Sequence, residues 1–122
     1  MSKKIMIVED EECLLKLASI ILTSRGYEVI GAADGLQALN ILESDTINLV
    51  LLDVMLPGID GFEVCKRIKQ QRDFADLPVV MLTAKTNKED LARGDEAGAS
   101  WYITKPFKSA NVIETVERLL NH

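Results

Sequence analysis

The chain has 122 residues, 48% hydrophobic but only 5% aromatic, which fits one domain with an aliphatic core. It carries 14 basic and 19 acidic residues for a net charge of −5, and this balance argues against direct nucleic-acid binding, which needs a basic face to neutralise phosphates. No segment approaches the roughly 20 apolar residues that cross a bilayer, and Met1-Ser2-Lys3-Lys4 is followed by too short an apolar run for a signal peptide. A cytoplasmic protein without membrane partners is expected. Cys13 and Cys65 show no CxxC spacing and are expected to be reduced, core or half-buried residues.

Short apolar runs alternate with amphipathic stretches along the whole length, the pattern of repeated βαβ units. Lys4 to Val8 reads as the first strand. A helix follows from about Glu12 to Ser24, with Leu14, Leu17, Ala18, Ile21 and Leu22 as its inward stripe and Gly26 closing it. Glu28 to Ala32 is the second strand. Asp34 caps the second helix, with Gln37 three residues on. Leu49-Val50-Leu51-Leu52-Asp53 is a third strand, apolar enough to be buried on both faces and stopped by the loop that holds Pro57-Gly58. The third helix starts near Asp60-Gly61 and carries Phe62, Val64, Cys65 and Ile68.

Pro78 opens the fourth strand, Val79 to Thr83, where a missing N–H is tolerated. Thr86-Asn87-Lys88-Glu89 resembles a capping box for a fourth helix that ends before Gly98. Ser100 to Thr104 is the fifth strand, Lys105-Pro106-Phe107 a turn, and Ser109 to Leu120 the last helix. Five strands and five helices with no linker or repeat give a single α/β domain covering residues 1–122, a doubly wound parallel sheet with right-handed crossovers.

Four strand ends carry the chemistry: Glu9-Asp10, Asp53, Thr83 and Lys105. In an open α/β sheet these carboxyl ends form the ligand-binding edge. Carboxylates from adjacent strand ends repel by on the order of 2–4 kcal/mol per pair at an effective dielectric near 20. A divalent cation offsets that, and hard oxygen ligands suit Mg2+ better than zinc. Glu11 and Glu12 have a plainer role, since negative charge is favourable where a helix begins. A hydroxyl and an ammonium facing such acids describe a phosphoryl site with Asp53 as nucleophile. Taken singly, Thr83 is an ordinary strand residue and Lys105 an ordinary loop lysine; the combination carries the reading.

Glu9-Asp10, Asp53, Pro57-Gly58, Asp60-Gly61, Thr83-Ala84 and Lys105-Pro106-Phe107 together resemble the receiver domain of bacterial response regulators, over Lys4 to Leu120. The resemblance implies a flavodoxin-like sheet in strand order 2-1-3-4-5. It implies a two-component phosphorelay in which Asp53 accepts phosphate from a histidine kinase or phosphotransfer protein. Asp10 and Asp53 then ligate Mg2+, Glu9 does so directly or through water, and the Met55 backbone carbonyl completes the protein ligands. Lys105 binds a phosphoryl oxygen, and the Lys105-Pro106 peptide is cis. Thr83 turns toward the phosphoryl group and Tyr102 swings behind it, changing the face made by helix four, strand five and helix five. A downstream protein reads that face.

Departures narrow the output. Ser100-Trp101 stands where DNA-binding members that dimerise carry paired acids, and Asn111 and Thr115 replace their helix-five acid and arginine. A monomer or weak dimer is therefore expected, with Trp101 either a docking anchor or packed on a helix. Met55 and Lys85, two residues past Asp53 and Thr83, occupy positions that tune phosphate lifetime in the family. One rival is a hydrolytic enzyme, an Asp-dependent Mg2+ phosphohydrolase, but Asp53-Val54-Met55 lacks the second acid of a D-x-D arrangement. Another is a phosphorylation-independent interaction module, which usually loses one of the residues that are all present here. A signalling receiver, not an enzyme, is the expectation, and a stand-alone regulator its simplest form.

Overall fold

The computed structural model describes residues 2–84 and 88–121. The strands are Lys4–Val8 (β1), Glu28–Ala32 (β2), Leu49–Asp53 (β3), Val79–Thr83 (β4) and Trp101–Thr104 (β5). The helices are Glu12–Thr23 (α1), Gly35–Ser44 (α2), Gly61–Gln70 (α3), Lys88–Ala97 (α4) and Ser109–Leu120 (α5), with one 3-10 turn at Arg72–Phe74. All strand pairs are parallel and the order is β2-β1-β3-β4-β5, as the resemblance to receiver domains implied.

Strand alternation divides the core. Met6, Val8, Val50, Leu52, Val79 and Met81 pack on one face with residues of α2, α3 and α4. Ile5, Ile7, Leu49, Leu51, Val80 and Leu82 pack on the other with residues of α1 and α5. Every residue of β3 and β4 is buried, which is why these strands read as unbroken apolar runs. Asp34 and Asp60 cap α2 and α3 by accepting the Gln37 and Glu63 backbone N–H groups at 2.8 and 2.9 Å. Gln37 Oε1 in turn accepts the Ala33 N–H at 2.7 Å, so the reciprocal capping pair predicted there forms one residue early.

Three expectations need correction. Leu17 is 45% exposed, and Leu15 packs on the core in its place, so the α1 stripe is rotated from the predicted phase. Cys13 is exposed rather than half-buried, while Cys65 is buried. Strand five starts at Trp101 because Ser100 meets β4 partly through its side chain: its N–H donates to the Val79 carbonyl and its hydroxyl accepts the Val79 N–H. The predicted capping box at Thr86-Asn87, like Lys85, lies outside the described residues.

Candidate functional site: an acid pocket at the sheet edge

Parallel register brings the strand ends level. Val8 pairs with Leu52 and Asp53 with Leu82, so Glu9 and Asp53 emerge side by side with Thr83 one step further on. The Lys105 N–H donates to the Thr83 carbonyl at 2.7 Å, which sets the following loop beside the same edge. The Lys105-Pro106 peptide is cis. Glu9 and Asp53 are 2% and 3% exposed, Thr83 is buried, and Asp10 points to solvent.

Oxygen atoms of Glu9, Asp10 and Asp53 all lie within 4.8 Å of one another. The Lys105 ammonium bridges two of these acids, 2.8 Å from Glu9 Oε2 and 3.0 Å from Asp53 Oδ2. Part of the relief of acid repulsion, expected from a cation in solution, is built into the chain. Burial raises the Glu9 carboxyl above its usual range, opposed by the hydrogen bond from Lys105 and reinforced by the Asp53 charge. Burial also pulls the Lys105 ammonium down, but its bonds to Glu9 and Asp53 outweigh this and leave it above the ordinary lysine value. The remaining contacts are short-range. Asp53 Oδ1 accepts the Met55 N–H at 3.1 Å, curling the β3–α3 loop over the acid, and Glu9 Oε1 accepts the Glu11 N–H at 3.3 Å.

The donor set fits a small hard cation. Oxygens on opposite sides of an octahedral Mg2+ stand about 4.2 Å apart, close to the span of the three acids. Glu9, Asp10 and Asp53 could hold such an ion.

Thr83 and Tyr102 lie on the same face of the sheet, since Tyr102 pairs with Met81, two residues before Thr83. Tyr102 is half-buried against α4, where its hydroxyl lies 2.9 Å from the Leu91 carbonyl and 2.6 Å from Asp95 Oδ1. Trp101 faces the other way. It is 47% exposed, with the Arg118 guanidinium stacked 4.1 Å over its ring. Exposure and packing on α5 thus coexist at this residue. Trp101, Asn111, Thr115 and Arg118 share the lining of one recess of about 270 Å³. Two residues that strand-end reasoning did not reach are Arg93 and Asp95. Arg93 stacks 4.3 Å over Phe62 and lies 3.4 Å from Asp60 Oδ2. The only sequence signal for them is a helix with too few apolar residues to anchor itself.

A profile of the response regulator receiver domain matches residues 5–117. The alkaline phosphatase synthesis transcriptional regulatory protein PhoP of Bacillus subtilis is 45% identical over 98% of this chain. The chain spans about half of that relative, 49% of its length. Among solved structures, chemotaxis protein CheY4 of Vibrio cholerae superposes with a TM-score of 0.95 at 32% identity, covering 98% of this chain and 100% of that one. The receiver domain of a Pseudomonas aeruginosa sensor histidine kinase, solved with a magnesium ion coordinated in its active-site cleft, gives 0.92 at 30% identity with both chains fully covered. Sequence, sheet order and acid pocket agree: this chain belongs to the response regulator receiver domain family of two-component signalling.

Proposed function

We propose that residues 1–122 form one receiver domain in which Asp53 accepts a phosphoryl group from the phosphohistidine of a kinase or phosphotransfer protein. The supporting observation is the Lys105 ammonium 3.0 Å from Asp53 Oδ2 inside a pocket of three converging carboxylates. In the transfer, an Asp53 carboxylate oxygen bonds to phosphorus as the phosphorus–nitrogen bond breaks, and the leaving imidazole keeps that electron pair and takes up a proton. Lys105 neutralises charge on the acceptor and on a phosphoryl oxygen, while the Met55 N–H fixes the carboxylate's orientation. Mg2+, when bound, supplies positive charge that offsets the acids and the transferring oxygens, with Glu9, Asp10, Asp53 and the Met55 carbonyl as its protein ligands.

Phosphorylated Asp53 carries roughly two negative charges. Thr83 then turns toward it and Tyr102 follows, reshaping the α4-β5-α5 face for a downstream protein. A net charge of −5 favours protein over nucleic acid as the direct contact of this domain, and Asn111 and Thr115 favour a monomer or weak dimer. No described helix is long and apolar enough to cross a membrane. The test is treatment with acetyl phosphate and Mg2+, followed by intact mass. Wild type should gain one phosphoryl group and Asp53→Asn none. Equal labelling of both proteins would remove Asp53 from the role.

A further inference from the structure

Helix α4 is weakly anchored by packing. Of its ten residues only Gly94 and Ala97 are buried, so side-chain ties decide where it sits. The ties to α3 include the Arg93 contacts with Phe62 and Asp60 and the bond from the Cys65 thiol to the Ala97 carbonyl at 3.4 Å. The tie to β5 is Tyr102. The edge of its ring fits against the helix because position 94 has no side chain; a Cβ there would stand 2.6 Å from Cε1 and 2.7 Å from the hydroxyl. The hydroxyl is shared between the Leu91 carbonyl at 2.9 Å and the Asp95 carboxylate at 2.6 Å. The second distance is that of a charge-assisted O–H···O− bond. Burial, reinforced by the Asp95 carboxylate, pushes the phenol well above its ordinary range, so it remains a proton donor.

We propose that Asp95 is a positioning residue that holds Tyr102 on α4 and thereby sets how readily this aromatic turns toward Thr83. The inference rests on the phosphoacceptor reading above and adds the restraint that opposes the switch. Tyr102 and Thr83 share a sheet face, so a turn of the ring toward Thr83 must give up the 2.6 Å bond. Removing the acceptor relieves only the form in which that bond exists, and the population moves toward the turned form. The Leu91 carbonyl remains as a neutral acceptor, so the change is bounded: about 2- to 10-fold.

The experiment uses protein labelled with 3-fluorotyrosine, read by fluorine NMR, with Tyr27 as internal reference because the chain has only two tyrosines. Ligand-free Asp95→Ala should shift or broaden the Tyr102 resonance and leave Tyr27 in place, with Asp95→Asn intermediate. Gly94→Ala crowds the ring edge and hydroxyl directly and should displace the same resonance. A beryllofluoride titration in Mg2+, followed by fluorescence of the single tryptophan, should saturate at about 2- to 10-fold lower concentration in Asp95→Ala than in wild type. An unmoved Tyr102 resonance with an unchanged midpoint overturns the proposal. A wild type that never saturates refutes the phosphoacceptor reading instead, and the ligand-free spectra still decide the role of Asp95.

Discussion

Gly61→Ala is the sharpest test of how the site is built. Gly61 opens α3, and its N–H donates to the Val54 carbonyl at 2.9 Å, docking the helix directly against the end of β3. A Cβ at this position would stand 2.2 Å from the Asp53 carbonyl oxygen and 2.8 Å from Val54 Cα. Ordinary contact begins near 3.4 Å, so backbone must yield by about 1 Å, and the backbone in question carries Asp53. Overpacking against rigid surroundings costs about 3 kcal/mol, near the upper end of its usual range. For a domain of this size that lowers the melting temperature by about 10 °C. Displacement of a reacting group by this distance slows chemistry by about 100-fold. The assay is thermal unfolding by circular dichroism, then phosphorylation by acetyl phosphate well below the melting point, where the variant is folded. Gly58→Ala is the comparison. Gly58 has φ 75° with nothing within 4 Å, so it should lose about 1 kcal/mol from the left-handed backbone alone and keep its phosphorylation rate. If Gly61→Ala matches wild type in both measurements, the close docking of α3 on β3 is wrong.

Lys105→Ala should leave Glu9 and Asp53 facing each other without their cation, destabilising the Mg2+-free protein by about 2–3 kcal/mol in urea unfolding; millimolar Mg2+ should restore most of the loss, and an unaffected midpoint would refute the bridging geometry. Thr83→Ala should still take up phosphate but lose the Trp101 fluorescence response, and an undiminished response would disconnect Thr83 from the switch. Under native conditions at pH 8 a thiol reagent should label Cys13 rapidly and Cys65 only after denaturation, because burial pushes the Cys65 thiol up to about 11. The same shift makes folding favour the protonated thiol, so its contribution is complete below pH 9 and lost as pH rises toward 11. Two equally fast labelling phases would contradict the burial.

The elements that the chain announced most clearly are those whose signal is local. Leu49 to Asp53 must be apolar because both faces are covered, and Asp34 and Asp60 cap helices within three residues of themselves. The acid pocket was legible for a different reason. Parallel strands all end on the same edge, so residues closing apolar runs meet whatever their separation in sequence. Periodicity misplaced Leu17, because leucines at positions 14, 15 and 17 support two adjacent stripes and only the packing of α1 on α5 and β2 chooses between them. The ties of α4 were out of reach altogether. Arg93 to Asp60 and Tyr102 to Asp95 join different elements through side chains, and no spacing rule encodes such a meeting.

The Lys105–Glu9 pair joins residues 96 positions apart, the first loop of the chain to almost the last. A polypeptide leaving the ribosome therefore displays Glu9 and Asp53 long before it can supply the ammonium that bridges them. Lys105 lies beyond the fifth strand, so the acid pocket cannot be completed before that strand has been made.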